Sequence, residues 1–329
     1  MKYNILSTLN LDYCKKELKE LKKLSNLSYL INPKKRIDDK LRNIDIYISS
    51  AGIKVDKKFI QNAKKLKAIF SPSTGTDHLD LNEIKKKKIK LFHIAKDRKL
   101  LDGFTATSEL TFGLILALNR KLIPANKESA SGSWPREKFI GRQLYKKTFG
   151  ILGYGRLGKI SSNIARGFGM KIIANDIKKI KPKNVKMVSI KTLFKKSDFI
   201  SIHIHLNNKT EGLVNKDLLQ LMKKTAMIVN TSRGKIINEK HLLYSLKNKK
   251  IGGAALDVID GEWLSKDQLK NHRLIKYEKQ NDNLLIVPHL GGTTYESIYG
   301  SREHICRILI SKLKKGLFKR WLSLLKKII

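Results

Sequence analysis

The sequence is poor in cysteine and proline and contains no long hydrophobic run. Only 2 of its 329 residues are cysteine and 6 are proline. Cys14 and Cys306 stand far apart, so they provide neither the spacing of a zinc site nor a disulfide framework. No apolar run approaches the roughly 18 residues of a membrane span, and the amino terminus becomes charged too early for a signal peptide. These absences predict a cytoplasmic protein.

Acidic residues are also scarce. The chain has 28 Asp and Glu against 69 Lys and Arg, which gives a formal net charge of +41. The electrostatic field of such a net charge attracts nucleic acid and anionic membranes. However, 56 of the basic residues are Lys, spread along nearly every amphipathic segment, whereas nucleic-acid binders cluster their charge and favour Arg. Lysine-rich solvated faces are therefore predicted, with weak polyanion binding at low salt but no specific nucleic-acid partner.

The length predicts roughly two domains. Between residues 1 and 95, short apolar runs alternate with Lys-rich amphipathic stretches. These predict strands at 3–6, 27–31, 44–48, 67–70 and 89–94, and helices at 11–24, 56–65 and 82–87. Strands that alternate with helices are typical of an α/β domain with a parallel sheet.

A mostly apolar stretch at residues 102–122 predicts one long helix, which Thr105 or Thr107 could cap. A helix that is apolar on most sides must be buried, between domains or between subunits. Residues 124–147 hold two prolines and two glycines, which predicts an irregular connection. Trp134 is expected to be a packing residue there.

A glycine-rich turn opens the second half of the chain. A strand at residues 149–152 runs into Gly153, Gly155 and Gly158, followed by an amphipathic helix, a second strand and Asp176. This is the context of a dinucleotide fingerprint. The glycines would allow the tight turn, the approach of a pyrophosphate and close helix packing, with the helix amides facing the phosphates. Asp176 would bind the adenosine ribose, which favours NAD over NADP. The alternative is a βαβ turn whose glycines serve packing alone.

Further apolar runs predict the rest of this domain. They predict strands at 185–188, 199–203, 226–230, 253–258 and 284–287, and helices that include 215–222 and 239–247. The pattern predicts a Rossmann-type doubly wound parallel sheet beside a second, flavodoxin-like α/β domain. Functional residues should then collect at the carboxyl ends of the strands.

Three motifs follow apolar strands at such ends. VNTSRG places Arg233 at such an end and Gly234 would permit a sharp turn after it, ALDVIDGEW places Asp257 and Glu262, and VPHLGGTT places His289. Arg can grip a carboxylate by two hydrogen bonds. Hydride transfer at a carbinol carbon needs a partner that moves the hydroxyl proton, usually His, and a carboxylate can orient that His. Each residue also has a structural interpretation, since Glu262 could be any solvated acid.

The order of these motifs resembles the D-isomer-specific 2-hydroxyacid dehydrogenase family, which includes D-3-phosphoglycerate, glycerate and D-lactate dehydrogenases. The resemblance extends to STGTDHLDL, TATSELTFGLILAL, GRQLYKKTFGILGYG and DFISIHIHLNNKTEGLVN, and so covers most of the chain. It implies an NAD-dependent enzyme that interconverts a D-2-hydroxyacid and a 2-oxoacid, related to phosphoglycerate or to glycerate and hydroxypyruvate. It also implies a homodimer formed through the long helix. The alternative is a non-catalytic NAD(H)-sensing protein on the same fold.

The resemblance implies a role for each matching residue. Arg233 would hold the substrate's carboxylate and carbonyl oxygen, His289 would be the acid/base, and Glu262 would support His289. The substrate would also meet the backbone amides of Ser73, Thr74 and Gly75. The residues implied to contact NAD are Tyr154, Gly155, Arg156, Leu157, Gly158, Asp176, His203, Thr231, Ser232, Asp257, Gly291 and Gly292. Residues 1–100 and 293–329 would form the substrate-binding domain, and residues 101–292 the NAD-binding domain.

Some positions depart from the family pattern. His205 stands where Pro is usual, and because no third ligand accompanies His203 and His205, no metal site is predicted. Trp263 also replaces a common Pro, and the segment from there to the VPHLGGTT motif is longer than usual. Residues 95–103 lack the usual Pro-Gly hinge. These changes border the expected substrate pocket, so the sequence leaves the identity of the acid open.

The last segment of the chain carries two expectations. The sequence ends 40 residues after His289, which leaves no room for the regulatory domain that some phosphoglycerate dehydrogenases carry. Residues 317–329 are basic and amphipathic. Such a segment can lie on an anionic membrane, but a C-terminal helix more often docks on its own domain, and docking is the expectation here.

Overall fold

The computed structural model describes residues 2–30 and 37–316. The chain forms two compact units. The first unit contains the residues up to Phe104 together with those from Thr294 onward, and the second unit is Thr105–Thr293. The expectation for residues 317–329 lies outside the described residues.

Each unit is built on a parallel sheet. In chain order the strands are β1 (Tyr3–Ser7), β2 (Ser25–Tyr29), β3 (Ile46–Ile48), β4 (Ala68–Ser71), β5 (Lys90–His93), β6 (Thr148–Leu152), β7 (Lys171–Asn175), β8 (Lys186–Met187), β9 (Phe199–Ile202), β10 (Met227–Asn230), β11 (Gly253–Leu256) and β12 (Leu284–Ile286). The first sheet has the order β2-β1-β3-β4-β5 and the second β12-β11-β10-β9-β6-β7-β8. These are the flavodoxin-like and Rossmann strand orders, so the predicted fold class is confirmed.

Helices connect the strands in both units. They are α1 (Lys15–Leu24), α2 (Ile37–Leu41), α3 (Lys57–Asn62), α4 (Leu81–Lys86), α5 (Arg98–Leu101), α6 (Ala106–Asn119), α7 (Leu122–Ala130), α8 (Arg156–Gly167), α9 (Ile190–Lys196), α10 (Lys216–Gln220), α11 (Glu239–Lys247), α12 (Lys266–Lys270), α13 (Arg273–Glu278) and α14 (Tyr295–Lys314). α12 and α13 lie in the segment between Trp263 and His289.

The first unit has a core on each face of its sheet. Successive strand residues point to opposite faces, and accordingly Ile5 and Leu6 belong to different hydrophobic clusters. The cluster around Ile5 includes Ile305 and Leu309 from α14, both fully buried. The last described helix therefore completes a core whose strands come from the start of the chain.

The second unit is covered by α6 and α8 on one face and by α9, α10 and α11 on the other. Phe149 and Ile151 of β6 contribute to the first of these faces and Leu152 to the other. α6 packs against β10, β11 and α8. Its buried side chains include Phe112 and Ile115, so the apolar character of α6 is already explained by the core of its own unit.

Three predictions around α6 were wrong. The expected helix at 102–122 is shorter, because Lys121 adopts a left-handed conformation (φ 51°) and separates α6 from α7. The predicted irregular connection begins with the helix α7, since a proline is tolerated in a first turn. Trp134 is 81% exposed rather than packed. By length and composition alone, the stretch Arg98–Asn119 passes for a membrane span, but core helices pass the same test, and α6 packs in the core of the second unit.

Candidate active site

The glycine-rich turn after β6 has the geometry of a phosphate cradle. Gly153 has φ +97°, and a Cβ there would lie 2.6 Å from the His203 carbonyl oxygen. A Cβ at Gly158 would lie 2.2 Å from the Gly153 oxygen, whereas none of the surrounding atoms lies within 4 Å of one at Gly155. Gly155 is the N-cap of α8 and has no side chain that could cap the first amides of the helix. An anion could therefore approach the backbone at Gly155 and the N-terminus of α8.

Asp176 follows β7 and is fixed beside this turn. Its Oδ2 accepts a hydrogen bond from the Tyr154 amide at 2.8 Å, and its Oδ1 accepts from the Lys178 amide at 2.8 Å. A carboxylate offers about four lone-pair sites, so each oxygen keeps capacity for a ribose hydroxyl. The Tyr154 side chain is 7% exposed and donates to Ser162 Oγ at 3.3 Å, which leaves its backbone as the part that borders the turn.

His203 lies at the carboxyl end of β9, next to the turn. Its Nε2 lies 2.8 Å from Ser201 Oγ and 3.1 Å from Ser161 Oγ. Its Nδ1 is buried and has no hydrogen-bond partner among the described residues. Burial lowers the pKa of His203 to about 4, so the imidazole is neutral near pH 7 and binds the two serine hydroxyls as a neutral ring.

The turn after β10 carries Arg233. Asn230, the last residue of β10, donates from Nδ2 to the Arg233 carbonyl at 2.9 Å and accepts the Ser232 amide at 3.0 Å. Ser232 Oγ donates to the carbonyl of Ile202, the last residue of β9, at 2.7 Å. Arg233 Nη1 donates to the Ser232 carbonyl at 2.7 Å. Side-chain hydrogen bonds therefore hold this turn at the strand ends.

Glycine is needed at position 234 for a different reason from the one that the sequence suggested. Its φ lies outside the left-handed region, so the predicted need for a sharp glycine turn was wrong. Instead, a Cβ there would lie 2.1 Å from the Ile259 carbonyl carbon and 2.4 Å from the Asp260 nitrogen. Glycine is required because another stretch of backbone passes directly over it.

His289 and Glu262 form a hydrogen-bonded pair. His289 Nδ1 lies 2.8 Å from Glu262 Oε1, with the two side chains 29% and 17% exposed. Because a carboxylate accepts, Nδ1 carries the proton, and Nε2 is the nitrogen left to exchange a proton with another group. No described residue hydrogen-bonds Nε2. Glu262 Oε2 is buried without a hydrogen-bond partner among the described residues.

The backbone around His289 is held by Asp257. His289 adopts a left-handed conformation (φ 55°), and its amide donates to the Asp257 carbonyl at 2.8 Å. The Asp257 carboxylate is buried, 1% exposed, and accepts the amides of Leu290 and Gly291. Burial raises the pKa of Asp257, while these two amides lower it. The Trp263 ring lies 6.0 Å from the His289 ring, so it forms part of the histidine's surroundings.

The remaining predicted residues are placed as follows. Arg156 and Leu157 begin α8, and Thr231 Oγ1 lies 3.1 Å from Thr111 Oγ1. The Gly291 carbonyl accepts a hydrogen bond from Thr107 Oγ1 at 2.8 Å, and Gly292 is exposed. Ser73, Thr74 and Gly75 follow β4 in the first unit. Within residues 2–30 and 37–316, His, Cys, Asp and Glu form no group of three or more that could hold a metal ion.

Three residues of this region were missed by the sequence analysis. Asn230 could have been found, because it is a polar residue at the end of a buried strand and adjoins the motif that carries Arg233. Glu239 and His272 give no comparable signal. They lie near the starts of two helices, and it is the folded chain that brings both to the backbone of Asp260.

Comparisons with known proteins match both units. Residues 112–291 match the family described as D-isomer specific 2-hydroxyacid dehydrogenase, NAD binding domain. Residues 5–100 match the catalytic domain of the same family. A glyoxylate reductase from Thermococcus litoralis is 34% identical over an alignment of 288 residues that covers 84% of this chain and 82% of that protein. The match therefore extends through most of both proteins.

A second relative and a solved structure agree with this match. The D-3-phosphoglycerate dehydrogenase of Methanocaldococcus jannaschii is 36% identical over an alignment of 269 residues that covers 80% of this chain and 49% of that protein. The crystal structure of a D-lactate dehydrogenase from Aquifex aeolicus, complexed with NAD and lactic acid, superposes with a TM-score of 0.82 at 25% identity and covers 98% of each chain.

Proposed function

Because the chain belongs to the D-isomer specific 2-hydroxyacid dehydrogenase family, we propose that it uses NADH to reduce a small 2-oxoacid to the D-2-hydroxyacid. As an enzyme of this family it is an NAD-dependent oxidoreductase that acts on CH–OH donors. The observation that carries the proposal is the pair of His289 and Glu262. It leaves one ring nitrogen available to exchange a proton while a carboxylate 2.8 Å away supports the other.

Arg233 and the loop after β4 are proposed to bind the substrate. The guanidinium group of Arg233 would bind the carboxylate and the carbonyl oxygen of the substrate, because its coplanar N–H groups can donate hydrogen bonds to two oxygens simultaneously. The backbone amides of Ser73, Thr74 and Gly75 would supply further donors to the carboxylate. Support for Arg233 comes from its rigid turn, in which Asn230 and Ser232 fix the backbone.

His289 is proposed to be the acid in the reductive direction. When bound, NADH supplies a hydride to the 2-oxo carbon. His289 would transfer a proton from Nε2 to the oxygen, and Arg233 would offset the negative charge that develops there. Glu262 would stabilise the charged form of the imidazole before the transfer and keep the ring oriented afterwards. In the oxidative direction the neutral His289 would accept the proton.

The second unit is proposed to bind NAD and the first to bind the substrate. The open backbone at Gly155 and the N-terminus of α8 fit a pyrophosphate, and Asp176 is fixed where a ribose could donate to it. The other proposed cofactor contacts are Tyr154, Arg156, Leu157, Gly158, His203, Thr231, Ser232, Asp257, Gly291 and Gly292. A carboxylate at position 176 would also repel a 2′-phosphate.

We also propose a homodimer located in the cytoplasm. Between α6 and β6 the chain exposes an apolar set, which consists of Leu122, Ile123, Trp134, Ile140 and Tyr145. Large apolar side chains that are exposed commonly lie in protein interfaces, and a second copy of the chain would cover these. Cys14 and Cys306 are buried free thiols, and burial raises their pKa values to about 11 and about 12, which fits a reducing compartment.

The test is NADH oxidation with a panel of glyoxylate, hydroxypyruvate, pyruvate and 3-phosphohydroxypyruvate. Because the relatives are a glyoxylate reductase and a D-3-phosphoglycerate dehydrogenase, glyoxylate and 3-phosphohydroxypyruvate are the two most informative acids of the panel. Turnover with at least one acid would support the proposal. The products of hydroxypyruvate, pyruvate and 3-phosphohydroxypyruvate are chiral and should be reoxidised only by a D-specific enzyme, whereas the glycolate formed from glyoxylate has no stereocentre. No oxidation of NADH across the panel would contradict it and would favour an NAD(H)-sensing protein.

A further inference from the structure

The loop of residues 259–263, here called the Glu262 loop, is held from two sides at Asp260. The Asp260 amide donates to Glu239 Oε1 at 2.7 Å. The Asp260 carbonyl lies 3.1 Å from His272 Nε2, which also lies 3.1 Å from Glu239 Oε2. Glu239 begins α11 and His272 is the N-cap of α13. Two helices therefore converge on the backbone of one residue in the loop that carries Glu262.

The hydrogen bonds of His272 define which of its nitrogens carries the proton. Its Nδ1 accepts the amide of Leu274 at 3.3 Å and so caps α13. Nε2 therefore carries the proton in the neutral ring, and the Asp260 carbonyl and Glu239 Oε2 can share it. The side chains of His272 and Glu239 are only 11% and 12% exposed. Because water has little access to these bonds, their loss would leave polar groups unsatisfied.

A third contact links the Glu262 loop to the turn of Arg233. The backbone of Ile259 and Asp260 lies so close to Gly234 that a Cβ there would approach the Ile259 carbonyl carbon to 2.1 Å. Glu239 and His272 hold the loop at the same point. A shift of this backbone would consequently change the position of Glu262 relative to both His289 and Arg233.

We propose that Glu239 and His272 are positioning residues, which hold the Glu262 loop so that Glu262 meets His289 in the reactive geometry. The inference rests on the proposed function. A displacement of about 1 Å at a reacting group can reduce turnover about 10²-fold, so these residues should affect kcat without contacting the substrate.

Two substitutions of His272 separate positioning from helix capping. Asn is a preferred N-cap, so His272→Asn should keep the cap of α13, but its side chain is too short to reach the Asp260 carbonyl. His272→Gln should reach that carbonyl with its amide and lose the cap. For Glu239, Gln keeps an acceptor for the Asp260 amide, whereas Ala removes it. The measurements are kcat, KM for NADH, and hydrogen exchange of residues 259–263.

His272→Asn and Glu239→Ala should lower kcat about 10- to 100-fold, leave KM for NADH within about twofold, and speed exchange in the Glu262 loop. His272→Gln and Glu239→Gln should stay within about threefold of the wild-type kcat. The matched control is Asp198→Ala. Asp198 also accepts a backbone amide, that of Thr148 at 2.8 Å, but at the opposite ends of the strands, so its loss should reduce stability and leave kcat unchanged.

The opposite ranking of the His272 variants would overturn the inference. If His272→Asn keeps full turnover, His272 serves only to cap α13. If His272→Gln falls as far as His272→Asn, the contact with the Asp260 carbonyl is not sufficient to support turnover. If the wild-type protein oxidises no NADH with any acid, the proposed function fails by itself. Hydrogen exchange then decides the loop contact independently, since unchanged exchange in His272→Asn would show that His272 does not hold the Glu262 loop.

Discussion

At the scale of single residues, His289 is expected to carry the largest catalytic effect. His289→Ala should reduce turnover about 10²- to 10⁴-fold, the usual contribution of a general acid or base. NADH binding, followed by fluorescence titration, should survive, because the imidazole is not needed to hold the nucleotide. His241→Ala is the control, since the His241 ring accepts the Lys216 amide and is not among the proposed site residues. Unchanged turnover in His289→Ala would exclude the acid/base role.

Asp176 should determine the choice between NADH and NADPH. Asp176→Asn keeps an oxygen acceptor for the Tyr154 amide but removes the charge that repels a 2′-phosphate. We expect it to lower the ratio of kcat/KM for NADH to kcat/KM for NADPH about 10-fold or more. The reason is that the loss of about 1.4 kcal/mol of repulsion between Asp176 and the 2′-phosphate corresponds to a factor of about 10. Asp176→Ala should weaken both cofactors further. A ratio equal to that of the wild type would argue against the ribose role.

His203 should make the folded state sensitive to acid. Its pKa is about 4 when folded, against 6.5 in an ordinary histidine. Between these values the unfolded chain binds the proton and the folded chain does not, so the free energy of unfolding should fall as pH drops from 6.5 to 4. The loss should reach at most about 3 kcal/mol. Urea unfolding of His203→Gln should show a shallower decline, and an identical decline would contradict this.

At the scale of the secondary-structure element, α8 provides a matched pair of glycines. A Cβ at Gly158 would clash with the Gly153 carbonyl, whereas Gly167, the last residue of the same helix, has no neighbour within 4 Å of such an atom. Gly158→Ala should destabilise by about 1–3 kcal/mol and weaken NADH binding. Gly167→Ala should be neutral or should stabilise by up to about 1 kcal/mol. Calorimetry and NADH titration would measure both effects, and equal behaviour of the two variants would contradict the packing argument.

Strands were more predictable than helices in this chain. The strands of a parallel sheet are buried on both faces, so β6, β10 and β11 stand out as apolar runs bounded by turn residues. The helix boundaries depended on details that composition does not reveal, such as the left-handed Lys121 that ends α6. α12 was hidden because none of its residues is buried.

The residue types of the site were accessible to sequence reasoning because the motifs follow strands directly. Strand ends of a parallel sheet meet at one edge, and Glu262 and His289 do lie 2.8 Å apart. The contact of Glu239 and His272 with Asp260 was not accessible. It joins residues 21 and 12 positions from Asp260 through side chains on separate helices, and local periodicity contains no information about such pairs.

At the scale of the whole molecule, the apolar set between α6 and β6 should determine the oligomeric state. Trp134 is 81% and Ile140 75% exposed. The double variant Trp134→Glu, Ile140→Asp should sediment as a monomer where the wild type sediments as a dimer, because burying two carboxylates in an interface is costly. Tyr244→Glu is the control, since Tyr244 is 53% exposed elsewhere on the second unit. A monomeric wild type would rule out the proposed dimer.

The discontinuous first unit has a consequence for the newly made protein on the ribosome. Its core needs Ile305 and Leu309 from α14, whereas the second unit is one uninterrupted stretch, Thr105–Thr293. The ribosome adds roughly 5–20 residues per second. On the order of 10 to 40 s therefore pass between the synthesis of the first unit's strands and that of α14, and during this time the second unit emerges and can fold. During this interval one face of its sheet lacks the apolar side chains of α14. We therefore expect the residues up to Phe104 to be the part of the nascent chain that depends on chaperones.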